Sequence, residues 1–193
     1  MIITITGLPG SGKTTVVKQL SETLGVPWYS VGNLRGKMAE ERAITIDELN
    51  ALGETEAFTD KDVDDYQKKL GESGESFVID GRLSWYFIPN SFKVFLDVDP
   101  DVGAKRIFEA SQKGERGDEK AYSSVEEVKQ FIADRVASDV RRYQKYYGVD
   151  FLNRANYNLV LDTTNLTIDE KAKIILDTLQ STRGLGTPPI TQG

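Results

Sequence analysis

Residues Gly7-Leu8-Pro9-Gly10-Ser11-Gly12-Lys13-Thr14 constrain this chain more than any other stretch. They fit G-x-x-x-x-G-K-[ST], with Thr15 directly behind. The apolar, β-like run Ile2-Ile3-Thr4-Ile5-Thr6 precedes them, and a helical pattern from Thr14 to Leu24 follows. A strand, a glycine loop and a helix start in that order form the context the motif requires. Glycines let the backbone wrap closely around a phosphate and turn several N–H groups inward. The helix opening at Lys13 adds the positive end of its dipole. Lys13 is placed to reach the β- and γ-phosphates as a point charge, and the Thr14 hydroxyl to ligate Mg²⁺. A glycine-rich turn that binds nothing is the bland alternative. Eight matched positions in the right context weigh against it.

Composition narrows the chemistry. The 193 residues suffice for one α/β domain with a sizeable core. No apolar run approaches the roughly 20 residues of a membrane helix. The first residues lack a basic flank and lead straight into the glycine loop, so they read as a core strand rather than a signal peptide. The chain has no cysteine, which excludes a disulfide framework and thiolate chemistry. A cytoplasmic location is the expectation. The net charge of −6 argues against a nucleic-acid surface. The chain also has no histidine, which removes the commonest general base and every Ser-His-Asp scheme. Phosphoryl transfer tolerates that lack, because it needs positioning and charge neutralisation more than covalent help.

Taken in order, the chain alternates strands and helices. Strands are expected at Ile2–Thr6, Trp28–Val31, Ser76–Gly81, Phe92–Val98 and Tyr157–Asp162. Helices are expected at Lys13–Leu24, from Gly32 to about Arg42, after the capping box Thr45…Glu48, at Asp60–Leu70 with Gly71 or Gly74 as terminator, from Pro100, at Val125–Tyr147 and at Ile168–Leu179. Gln112–Ser124 reads as a mobile polar segment and Ser181–Gly193 as a disordered tail. The pattern predicts a P-loop-type doubly wound α/β fold with a five-stranded, mainly parallel sheet. Ligands in such sheets sit past the carboxyl ends of the strands. The glycine loop, Ser30, Asp80, Asp97 and Asp162-Thr163-Thr164 all fall there.

Four further features ask for a second substrate. Ser30-Val31-Gly32-Asn33-Leu34-Arg35 puts a hydroxyl, a helix start and an arginine together, a set able to hold a second phosphate. Asp80-Gly81-Arg82 puts an acid at the end of a buried strand, where it could hold Mg²⁺, with an arginine behind it for a substrate phosphate. Arg135, Asp139 and Arg142 share roughly a 60° sector of one helix at about 100° per residue. Arg106 and the segment carrying Lys113, Arg116 and Lys120 could close over a triphosphate. Each has a plain structural alternative: a capped surface helix, a strand-to-helix turn, a solvated ion pair worth a few tenths of a kcal/mol, or an ordinary loop.

Together these motifs resemble the nucleoside monophosphate kinases up to about Gln180, above all the short archaeal-type branch of the cytidylate kinases. The start M-I-I-T-I-T-G-L-P-G-S-G-K-T-T resembles that branch nearly residue for residue. Ser30-x-Gly32-x-x-Arg35 is similar to its monophosphate motif, with Asn33 where many relatives carry Asp or Ala. Asp80-Gly81-Arg82 is similar to its D/E-G-R motif, and Arg135-x3-Asp139-x2-Arg142 to its helix motif. Asp162-Thr163-Thr164-Asn165-Leu166 is similar to the loop flanking the ATP base. The resemblance implies ATP-dependent phosphorylation of CMP or dCMP. It implies Ser30, Gly32, Arg35, Arg82 and Arg142 at the acceptor phosphate, Arg135 and Asp139 at its sugar, and Arg106, Thr164 and Asn165 with the glycine loop around ATP. It also implies a monophosphate-binding segment at about 32–73 and a lid at about 112–124.

One position departs from the bacterial enzymes. Leu83 stands where they carry a cytosine-reading acid, and the helix Asp60–Leu70 lacks their base-reading arginine. Adenylate kinases share Ser-x-Gly-x-x-Arg but carry D-G-F-P-R, unlike Asp80-Gly81-Arg82-Leu83. The expected set is thus a monomer binding small-molecule nucleotides, with ATP as donor, Mg²⁺ at Thr14 and Asp80, and neither nucleic acid nor membrane as partner. An adenylate kinase, another small-molecule P-loop kinase using Asp80 as base, and a non-catalytic nucleotide-binding module are the alternatives. The last would leave the basic residues without work.

Overall fold

The computed structural model describes residues 1–55, 58–113 and 122–184. Its centre is β1 (Ile2–Gly7), which pairs in parallel with β3 (Phe77–Asp80) on one side and β4 (Phe92–Asp97) on the other. β2 (Trp28–Ser30) lies outside β3, and β5 (Leu159–Asp162) outside β4. The order is β2-β3-β1-β4-β5, all parallel. A central parallel strand is covered on both faces, and β1 shows how its mixed sequence permits this. Ile3 and Ile5 join Val16, Val17 and Leu20 of α1 (Lys13–Leu24) and Ala172, Ile175 and Leu179 of α8 (Ile168–Gly184) in the main core. Thr4 and Thr6 point the other way and are equally buried. Their hydroxyls are satisfied, Thr4 with Ser91 Oγ at 2.9 Å and Thr6 by donating to Gly81 O at 2.9 Å. Burial of those two hydroxyls therefore avoids the usual cost of an unmet polar group.

The helices that follow β2 and precede β3 in the chain form a smaller core of their own. Met38 and Ala39 of α2 (Val31–Glu41) pack with Leu49 of α3 (Ile46–Thr55) and Val63 of α4 (Phe58–Glu72). The capping box before α3 is formed as expected. Glu48 N–H donates to Thr45 Oγ1 at 3.1 Å, and Thr45 N–H donates to Glu48 Oε2 at 2.7 Å. α4 runs through Gly71, which packs on Ile88, and the chain reverses at Gly74 with φ +77°. Gly71 is therefore a packing residue and not the terminator.

A four-residue helix not expected from periodicity, α5 (Ser84–Phe87), follows β3. It is too short to carry a helical repeat. α6 (Pro100–Gln112) starts on Asp99, whose carboxylate accepts from Asp101 N–H and Val102 N–H. α7 (Val125–Tyr147) starts on Ser124, which accepts from Glu127 N–H at 3.1 Å, and stops at Gly148 with φ +66°. These two helices share a core of Ala104, Ile107, Tyr122 and Val128. A 3₁₀ turn at Arg154–Asn156 leads into β5.

Within the expected lid, Gln112 ends α6, Lys113 caps it and Ser124 caps α7. Arg116 and Lys120 lie outside the described residues. Residues 181–184 of the expected tail are the last turn of α8, and the remainder lies outside the described residues. Among the described residues no helix is long and apolar enough to cross a membrane.

Candidate active site

The glycine loop joins β1 to α1 at the carboxyl edge of the sheet. Gly10 adopts φ +80°, and a Cβ there would meet Gly103 O of α6 at 2.4 Å. Only a residue without a side chain allows α6 to back onto the loop so closely. Gly12 is also left-handed, at φ +87°, and starts α1 without a side-chain cap. The loop is self-braced: Ser11 is fully buried, and its Oγ donates to Leu8 O at 2.8 Å. Lys13 Nζ donates to Gly7 O at 3.0 Å and Leu8 O at 2.9 Å. Its charge is thereby held in the concavity the loop encloses. Thr15 is exposed on the first turn of α1.

Parallel pairing aligns Ser30 with Asp80, so two expected site residues end adjacent strands. Thr14 Oγ1 donates to Asp80 Oδ2 at 2.9 Å. Burial pushes the Asp80 carboxyl above its ordinary range, against the opposing pull of hydrogen bonds from Ser30 and Thr14 and the charge of Lys13. A buried acid beside a lysine and two hydroxyls offers oxygen ligands only, the donor set a hard divalent cation takes. Magnesium needs few protein ligands when phosphates supply the others. Thr14 and Asp80 therefore fit it, although the described residues contain no cage of three or more acidic, histidine or cysteine ligands.

Arg82, Asp139 and Arg142 come together beside this edge. Arg142 is almost fully buried, and its Nη2 donates to Asp139 Oδ1 at 2.9 Å and to Tyr143 Oη at 3.1 Å. Arg82 Nε pairs with Asp139 Oδ2. Its guanidinium also lies over the Phe151 ring, 5.3 Å from the centroid. The unexpected helix α5 fixes it from behind, since Trp85 Nε1 donates to Arg82 O at 3.0 Å. Two guanidiniums thus share one carboxylate, and the local balance is positive. Arg82 Nη1 is buried with no hydrogen-bond partner among the described residues. An unmatched buried donor on an arginine suits an incoming anionic oxygen.

Arg142 and Arg82 both engage the Asp139 carboxylate. Arg135, the expected third member, lies one turn earlier on α7 with its guanidinium 6.0 Å from the Phe131 ring centroid. Ser30 caps α2 by accepting from Asn33 N–H at 3.3 Å, Gly32 is exposed, and Arg35 is buried on the same helix.

On the other flank, Arg106 ties three segments together. Its Nη1 donates to Gly10 O at 3.3 Å, and its Nη2 to Thr163 O at 3.1 Å and Thr164 O at 2.9 Å. Thr164 is held by Asp162, which accepts from both its N–H and its hydroxyl, while Asn165 is exposed. Asp97 ends β4 at the same edge but is committed to Arg154 at 2.7 Å, so it serves the scaffold. Sequence reasoning missed Lys171 of α8. It is buried and donates to Ser11 O at 3.3 Å. No motif covers it, and only the crossing of α8 behind the loop reveals it.

The sequence pattern of the cytidylate kinase-like family matches residues 2–165. The chain belongs to that family. Among its relatives, the cytidylate kinase of Methanobrevibacter smithii is 36% identical over 180 residues, covering 93% of this chain and 99% of its own. The cytidylate kinase of Methanothrix thermoacetophila is 36% identical over 163 residues, covering 84% of this chain and 88% of its own. The fold extends to the shikimate kinase of Aquifex aeolicus, with a TM-score of 0.59 at 20% identity over 97% of this chain and 100% of that one. Membership of the family makes the chain a P-loop nucleoside monophosphate kinase with ATP as phosphate donor. The alternative of a non-catalytic nucleotide module is set aside with it.

Proposed function

We propose that this enzyme transfers the γ-phosphoryl group of ATP to CMP or dCMP, and that the residues described above carry out the transfer. The observation that carries the assignment of the acceptor side is the Arg82–Asp139–Arg142 cluster. It holds more positive than negative charge, and it includes a buried Arg82 donor with no hydrogen-bond partner among the described residues.

The chemistry asks little of general bases. A nucleoside monophosphate has its second pKa at about 6, so its phosphate is mostly dianionic at neutral pH and is already a nucleophile. The obstacle is repulsion between two anions. Arg82 and Arg142 would neutralise the acceptor, with Ser30 and Arg35 on its other side. Lys13 and the loop amides would neutralise the donor as charge moves toward the bridging oxygen. Asp139 does not face the phosphate in this scheme. It orients the two arginines, and Arg135 would reach the sugar from the preceding turn. Mg²⁺, held by Thr14 and Asp80 together with the nucleotide phosphates, would supply further charge neutralisation. Residues 112–124 would exclude water on closure, which protects the γ-phosphoryl group from hydrolysis.

A coupled ADP-release assay with ATP and Mg²⁺ tests the reading against CMP, dCMP, UMP, AMP, GMP and no acceptor. Turnover that depends on CMP or dCMP is the expected result. Turnover with AMP alone would move the base preference elsewhere. ADP release independent of every acceptor would overturn the monophosphate-kinase assignment.

A further inference from the structure

Lys171 stands outside every motif of this chain, yet it is 4% exposed and its ammonium touches the phosphate loop. A buried lysine is normally paired with an acid, because an isolated ammonium is costly to desolvate. Here no carboxylate pairs with it among the described residues, and its one hydrogen-bond acceptor is Ser11 O. The charge that acts on it is another cation, Arg106, which donates to the carbonyl of the preceding loop residue, Gly10. Burial, reinforced by that neighbour, pulls the Lys171 ammonium below its ordinary range. Neither of these two cations has a carboxylate partner among the described residues.

The peptide geometry says where their effect is delivered. In a trans peptide the C=O of one residue and the N–H of the next point to opposite sides. Ser11 O receives Lys171, so the N–H of the same peptide unit, that of Gly12, is directed away from Lys171. An ideal Cβ on Gly12 would lie 3.3 Å from Lys171 Nζ, so the two groups are immediate neighbours. A cation on the carbonyl polarises the unit and makes its N–H a stronger donor, as in a hydrogen-bond chain. The interior of the loop is where Lys13 Nζ rests against Gly7 O and Leu8 O.

We propose that Lys171 is a positioning residue for the ATP phosphates. It braces the Ser11–Gly12 peptide from behind and supplies uncompensated positive charge that a bound triphosphate balances. The inference rests on the ATP site of the proposed function and assigns that site a cation beyond Lys13 and Arg106.

The test compares wild type with Lys171→Met, Lys171→Gln and Lys171→Arg by calorimetric titration of ATP and, separately, of CMP. Steady-state KM values for both nucleotides complete it. A lost charge-assisted contact predicts that Lys171→Met binds ATP about tenfold more weakly. CMP affinity and the KM for CMP stay within about twofold of wild type, since the cluster at Asp139 is untouched. Lys171→Arg restores most of the ATP affinity. Lys171→Gln, which can still donate to Ser11 O, behaves like the Met variant if charge is the agent. ATP affinity unchanged in the Met variant overturns the inference, as does full recovery with Gln. Equal weakening toward ATP and CMP with a lowered melting temperature also overturns it, because that pattern marks a structural lysine. Wild-type protein that takes up CMP but no ATP overturns the functional reading and the inference with it.

Discussion

Arg82 and Asp139 form a buried ion pair between the loop after β3 and the middle of α7. The two side chains are 14% and 6% exposed, so solvent screens the pair little. Arg142 engages the other oxygen of the same carboxylate. Substituting Asp139 by Asn removes the single negative charge between two guanidiniums. Breaking such a buried pair leaves charge uncompensated and costs about 3 kcal/mol. Asp139→Asn is expected to lose about that much stability in a urea titration and to raise the KM for CMP more than that for ATP. An unchanged midpoint would show that the two arginines do not depend on Asp139.

Leu83 follows Arg82 directly, yet it is 5% exposed and packs with Tyr143 and Phe151. The position at which the resemblance to the bacterial cytidylate kinases implied a base-reading acid is here part of an aromatic cluster. Leu83→Asp would bury a carboxylate in that cluster at a cost of about 3 kcal/mol or more before any pKa adjustment. The expected outcome is a strongly destabilised variant whose preference for CMP over AMP does not improve. A stable variant with sharper CMP selectivity would place residue 83 at the base after all.

These two positions also mark what sequence could and could not disclose. The alternation of strands and helices and the glycine loop before α1 were legible because each rests on local periodicity or turn chemistry. So was Arg142, three residues after Asp139 on one helix face. Arg82 joining the same carboxylate was not legible, because contact between the β3 loop and α7 depends on how α5 and the Phe151 loop pack. Gly71 misled for a related reason: its use is the close approach of Ile88, a tertiary contact, while the true reversal waits for Gly74. Lys171 carried no local signal at all. Its neighbours Thr167 and Glu170 announce only a helix start, which they form through a reciprocal capping box.

Asp80 separates function from stability. Burial holds its carboxyl above the ordinary range, so the folded state binds that proton more tightly than the unfolded chain does. By linkage, its contribution to stability falls as pH rises from the unfolded value, about 3.9, through the raised folded value. Once ionised, the carboxylate is thus a burden on the fold. Asp80→Asn is expected to keep or raise the melting temperature at pH 7 and to lose the fall over that pH window. Its turnover should drop and require much more Mg²⁺. Melting curves across pH, paired with a Mg²⁺ titration of activity, check both halves. A variant less stable at neutral pH, or one with wild-type Mg²⁺ dependence, would contradict the assignment.

Lys13 offers the cleanest separation of donor from acceptor. Its ammonium is bonded to two loop carbonyls, Gly7 O and Leu8 O, so truncation removes contacts at a surface concavity and leaves the core clusters intact. In transfer, the same charge would sit where the donor phosphates gain negative charge. Removing one such group costs about 10²–10³ in rate at comparable sites. Lys13→Ala should therefore fold normally by circular dichroism, bind CMP as wild type does and lose transfer by at least about that factor. Substantial turnover in this variant would sink the site assignment, since no other side chain of the loop carries a charge.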